Sequence, residues 1–143
     1  MKILLDTNIV LDLLLERKPF VDFAEEIFVK IEQKKIKGFL CPTSITTIYY
    51  LLNKYLDKRR CNEAMETLLD LFDIVKVDKK VLRESLKNSG IDFEDSVIYT
   101  SANFANIDTI ITRDKKGFKN SKIEVLSPNE FLTDKVRIKE IEK

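Results

Sequence analysis

Aspartates stand at three separated places where the local pattern of this chain changes. Asp6 directly follows the apolar run Ile3-Leu4-Leu5, Asp92 lies close to Glu94 and Asp95, and Asp114 follows Ile110-Ile111-Thr112-Arg113. Each has an ordinary structural explanation. Asp6 can cap a helix together with Asn8, Asp92 can be an N-cap with Asp95 completing a capping-box-like pair, and Asp114 can be a turn residue. Acids at helix starts also suit the helix dipole. Brought to one place, they have a different chemistry. Two unit charges about 4 Å apart repel by about 4 kcal/mol at an effective dielectric of 20, so a group of carboxylates needs protons or a counter-ion. Acid-rich oxygen sites suit hard cations, here Mg²⁺ or Mn²⁺. Such an ion lowers the pKa of a water and braces phosphate oxygens, which opens phosphodiester hydrolysis to a chain without histidine. No nucleophile-elbow or phosphate-loop glycine motif offers a competing chemistry.

The elements that must position these acids alternate along the chain. Residues 2–5 read as a buried strand and 9–15 as a short helix capped by Asn8. Pro19 opens a second helix with Phe20, Phe23, Ala24, Ile27, Phe28 and Ile31 at helical spacing, closed by Gly38. Residues 38–41 form the second strand, and Pro42, Thr43 and Ser44 open a helix carrying Ile48, Leu51, Leu52 and Tyr55. A further helix spans 61–72, a third strand 73–77, and a helix from Asp78 stops near Gly90. Then come a helix over 95–104, a strand over 108–112, a short strand over 123–126 and a last helix from Pro128. Strands alternating with helices favour a parallel sheet covered on both faces. In such sheets ligands bind at the carboxyl ends of the strands, which is where Asp6 and Asp114 fall.

Composition bounds the rest. A length of 143 residues fits one domain, and 44% apolar with 34% charged residues describes a real core under a solvated surface. Residues 1–133 form the domain and 134–143 a charged C-terminal tail. No apolar run approaches the roughly 20 residues of a membrane span, and the start lacks the features of a signal peptide, so a cytoplasmic location is expected. Cys41 and Cys61 are expected to be reduced thiols; without histidine they do not make a zinc site. The net charge of +1 advertises no nucleic-acid surface, so any such site must be local. Tyr49 and Tyr50 are expected in a helix core.

Three motifs carry a resemblance: the opening I-L-L-D-T-N-I-V-L-D, the segment D-F-E-D-S-V-I-Y-T-S-A, and I-I-T-R-D-K-K-G-F followed by V-L-S-P-N-E-F-L. In order and spacing they resemble the PIN-domain family, from the first strand to near residue 132. The resemblance is to a bacterial branch with a middle helix like P-T-S-I-T-T-I-Y-Y-L-L. It implies a PIN-like α/β fold, a Rossmann-like three-layer sandwich with a mostly parallel central sheet. It also implies a metal-dependent endoribonuclease, in many bacterial members the toxin of a toxin–antitoxin pair. Asp6, Asp92, Asp95 and Asp114 would be the catalytic, metal-holding acids, with Asn8 and Thr112 supporting them. Arg113, Lys115 and Lys116 would contact substrate phosphate. The expected partners are an RNA substrate, an antitoxin protein and a second copy in a homodimer. Many family members place a glutamate where this chain has Thr47, and Glu94 would compensate only by turning inward, whereas a helix-start glutamate is expected to face solvent. Two alternatives stay open: an inactive RNA-binding module of the same fold, and another Rossmann-like metal-dependent phosphohydrolase. A phosphoaspartate enzyme would carry an acid at the position of Asn8.

Overall fold

The computed structural model describes residues 1–88, 91–119 and 121–134. The first strand, β1 (Lys2–Leu5), is followed by α1 (Thr7–Leu14), α2 (Val21–Glu32), β2 (Lys37–Leu40), α3 (Pro42–Leu52) and α4 (Lys58–Leu71). The second half runs through β3 (Asp73–Ile74), α5 (Lys79–Ser85), α6 (Phe93–Phe104), β4 (Thr109–Ile111), a 3-10 turn (Lys115–Phe118), β5 (Glu124–Leu126) and α7 (Pro128–Thr133). The expected tail beyond 134 lies outside the described residues, and the helix expected to run from Asp78 to near Gly90 ends already at Ser85.

All strand pairings are parallel, in the order β3-β2-β1-β4-β5. β1 occupies the centre, and its residues divide between two cores as the period of two requires. Ile3 and Leu5 pack with Ile9, Ile27, Ile48, Leu68 and Phe131, so α1 to α4 and α7 cover one face. Leu4 packs with Val81, Val97, Ile98 and Phe118, so α5, α6 and the 3-10 turn cover the other. Ile3, Leu4 and Leu5 are all fully buried, as a central parallel strand must be. The three-layer α/β sandwich expected from the alternation is thus observed.

Several helix starts are fixed by side chains near them. Asp57 accepts from Arg60 N at 2.8 Å, Asp78 from Val81 N at 3.0 Å, and Ser127 with Glu130 closes a capping box. Four expectations are corrected. The first helix begins at Thr7 and is capped by Asp6, placing Asn8 inside its first turn. The second helix ends at Glu32, and Lys34, not Gly38, turns the chain with a left-handed φ of 60°. Gly38 lies inside β2, where an added Cβ would stand 2.8 Å from both Ile31 Cδ1 and Phe72 Cδ1. The third strand is only Asp73–Ile74, at the sheet edge. Tyr50 and Tyr55 are exposed rather than in the core, while Cys41 and Cys61 are buried free thiols.

Candidate metal centre

The carboxyl edge of β1 and β4 is where the acids collect. Asp6 leaves β1 and is 6% exposed. Its two oxygens are committed separately: Thr7 N donates to Oδ1 at 2.8 Å, and Thr112 Oγ1 donates to Oδ2 at 2.7 Å. Thr112 stands just past β4, and its hydroxyl also accepts from Asp114 N at 3.0 Å. One threonine therefore links the acid after β1 to the acid after β4. Burial raises the Asp6 carboxyl above the usual aspartate range, against these hydrogen bonds, and the charge of Asp114 adds to the rise.

The third acidic element is the start of α6. Asp92 occupies the N-cap position, but its side chain makes no capping bond, and Asp95 sits in the first turn. The Asp95 carboxyl is pushed up to about 6, first by burial and then by the charges of Asp6, Asp92, Asp114 and Glu94. The fold has brought carboxylates more than 100 residues apart in sequence within one another's field. Room for Asp95 comes from Gly117 in the 3-10 turn, where a Cβ would lie 2.5 Å from Asp95 Oδ2.

Glu94 does not face solvent as expected. It is half-buried, and Thr47 Oγ1 on α3 donates to Glu94 Oε1 at 3.3 Å while also bonding Thr43 O at 3.2 Å. The helix position that lacks an acid thus holds one supplied by α6. Among the candidate phosphate contacts, Arg113 is committed elsewhere. Its Nε and Nη2 donate to the buried Asp12 at 2.7 and 3.1 Å, and the Phe20 ring lies 3.9 Å from its guanidinium carbon. Lys115 pairs with Glu130 at 3.0 Å, and Glu130 is held below the usual range by the Ser127 N–H and then by this lysine. Lys116 is exposed beside them. Sequence reasoning missed Asp12, Gly117 and Phe20. The one available signal was a charge, Asp12, inside the apolar run Ile9–Leu15, which requires a buried partner.

Hard oxygen donors in mutual repulsion are the chemistry that suits a divalent cation. Among the described residues, no three acidic or thiol side chains are gathered tightly enough to enclose an ion. Asp6, Asp92, Asp114 and Glu94 are near enough for their charges to act on Asp95. A depression of about 420 Å³ lined by Met1, Lys37, Gly38 and Asp73 lies at the opposite, amino edge of the sheet, away from these acids.

A parallel α/β sandwich with acids gathered at the carboxyl edge of its strands places the chain among the Rossmann-like domains. Residues 2–116 match the family model described as PIN domain, and the chain belongs to that family. It is 28% identical over 136 residues to Ribonuclease VapC1 of Aquifex aeolicus (strain VF5), covering 91% of this chain and 92% of that protein. A toxin-antitoxin complex from Klebsiella pneumoniae matches with a TM-score of 0.67 and 22% identity, over 87% of this chain and 96% of that one. FitAcB from Neisseria gonorrhoeae matches with a TM-score of 0.64 and 23% identity, over 88% and 97%. At these identities the solved structures speak for the fold.

Proposed function

We propose that this protein is an Mg²⁺- or Mn²⁺-dependent endoribonuclease that acts in the cytoplasm as the toxin of a toxin–antitoxin pair. The observation that carries the reading is the place of Asp95 in the first turn of α6, where burial first, and then the charges of four other carboxylates on three segments, raise its carboxyl. The similarity to a ribonuclease over nearly the whole chain supports the substrate class, and the similarity to a toxin–antitoxin complex supports an antitoxin as partner. Among the described residues no helix is long and apolar enough to cross a membrane.

In this reading Asp6, Asp92, Asp95 and Asp114 hold the ion, Asp92 and Asp114 from exposed positions. A bound divalent cation supplies polarisation of the phosphate and a lowered pKa for the attacking water. Thr112 orients Asp6 through its hydroxyl and fixes the backbone of Asp114. The hydrogen bond from Thr47 to Glu94 supports Glu94 as a substitute for the acid α3 lacks, and with it an active enzyme over an RNA-binding module. With its carboxyl pushed up to about 6, Asp95 would be driven toward its ionised form by a bound cation. Lys116 is the cation left to meet substrate phosphate, since Arg113 and Lys115 are engaged by Asp12 and Glu130.

The test is cleavage of a mixed structured and single-stranded RNA pool by wild type, Asp6→Asn and Lys115→Ala, with and without chelator. Wild type cleaves only with metal, and Asp6→Asn loses turnover by about two orders of magnitude or more. Lys115→Ala stays close to wild type. Equal activity in wild type and Asp6→Asn, or cleavage that survives the chelator, would discard the reading.

A further inference from the structure

The ion pair of Asp12 and Arg113 lies outside the acid cluster, yet it holds the cation that chain connectivity places between two members of it. Arg113 follows Thr112, the residue that anchors Asp6, and precedes Asp114. The Asp12 side chain is 1% exposed. Two bonds from Arg113, at 2.7 and 3.1 Å, reach it, with Arg17 Nη1 at 3.8 Å and the Phe20 ring stacked on the far partner. A buried ion pair adds little net stability over an apolar pair of similar volume, so stability alone does not account for this arrangement. Its placement does. A planar guanidinium is the side chain best shaped to bind carboxylates bidentately, and a free one here would be a built-in counter-ion for Asp6 and Asp114.

We propose that Asp12 is a positioning residue that withdraws Arg113 from the metal carboxylates, so that the cluster keeps its negative charge for a divalent cation. The inference rests on the metal-site reading above. Asp12 on α1 and Phe20 from the segment after it form a receptacle for the guanidinium, with Arg17 as a second, more distant partner of Asp12. Neutralising Asp12 leaves Arg113 beside Asp6, on which its charge already acts, and beside Asp114. Arg113 then competes with the cation.

Calorimetric titration of metal-stripped protein with Mn²⁺ alone, needing no RNA, tests this. Asp12→Asn is expected to bind about ten-fold more weakly than wild type, the size of coupling between neighbouring charged groups. The double variant Asp12→Leu with Arg113→Met removes the competing cation together with its holder, and its affinity is expected within about three-fold of wild type. A merely structural role for the pair predicts the reverse order, with the double variant at least as weak as the single one. An Asp12→Asn protein that binds like wild type overturns the inference, and so does a double variant as weak as Asp12→Asn. If circular dichroism shows Asp12→Asn unfolded, the double variant decides by the same three-fold margin, and a larger loss overturns. Wild type that fails to bind Mn²⁺ at all overturns the metal reading and this inference with it. Wild type that binds while the variants depart from the expected order overturns this inference alone.

Discussion

Asp95 carries the opposed demands of folding and function in one side chain. Its carboxyl is pushed up to about 6 by burial and by the charges around it. Between about pH 4 and 6 the folded chain therefore keeps a proton that the unfolded chain has released, so the stability of the metal-free protein falls as pH rises through that window. Asp95→Asn removes this loss. In chelator the variant is expected to melt at or above wild type at neutral pH, with the gap closing toward pH 4; thermal melts across that range check it. A variant less stable at neutral pH would instead assign the carboxylate to the helix start. Because the ion must displace the proton, wild-type Mn²⁺ affinity is expected to rise between about pH 5 and 7, which calorimetry at several pH values measures. Gly117 offers a cleaner probe of position. In Gly117→Ala the new methyl meets Asp95 Oδ2 at 2.5 Å and must move it. Turnover is expected to fall by about ten-fold or more, as displacements of about an ångström at a site do, with the melting temperature little changed. Unchanged turnover would show that Asp95 works from a different rotamer.

Among the elements, β2 shows how closely helices are laid on the sheet. Gly38 faces Ile31 of α2 and Phe72 after α4, with an added Cβ only 2.8 Å from ring and methyl carbons of both. Phe72 is itself held edge-on against Phe28, with ring centroids 5.2 Å apart. Gly38→Ala therefore overpacks this layer and is expected to lower unfolding stability by about 1–3 kcal/mol, read from the urea midpoint at constant slope. Metal affinity should be untouched, since β2 meets the layer far from the acids; a shift in affinity would mean that the strand moves as a unit with β1. α6 is set differently. Ser96 Oγ donates to Ser85 O at 2.7 Å and accepts from Asn88 at 2.7 Å, which ties the start of α6 to the end of α5 one residue after Asp95.

For the molecule as a whole, the proposed metal site would couple metal binding to folding. A ligand that binds only the folded chain adds stability by mass action, about 2.7 kcal/mol at a hundred times its dissociation constant. Wild type is expected to melt several degrees higher in excess Mn²⁺ than in chelator, and Asp6→Asn to show little of that rise; differential scanning fluorimetry under both conditions checks it. Equal shifts in both proteins would place the ion away from Asp6. The net charge of +1 provides no broad attraction for RNA, so in the proposed function binding would rest on local cations such as Lys116.

Much of this was legible in the sequence because it rests on local rules. Apolar runs of strand length, helical spacing in residues 20–31 and acids at strand ends follow from periodicity and from where parallel sheets expose their loops. Those rules were enough for the layer architecture and for the sheet edge at which Asp6, Asp92, Asp95 and Asp114 come within one another's field. The tertiary structure decided what depends on partners distant in the chain. Asp6 rather than Asn8 caps α1, because Asp6 is also held by Thr112, 106 residues away. Glu94 turns inward because Thr47 of α3 meets it. Arg113 leaves the substrate side because Asp12 and Phe20, about 100 residues earlier, take its guanidinium. A sequence states which residues carry charge, but the field each charge feels, and so its role, is set by neighbours that only folding supplies.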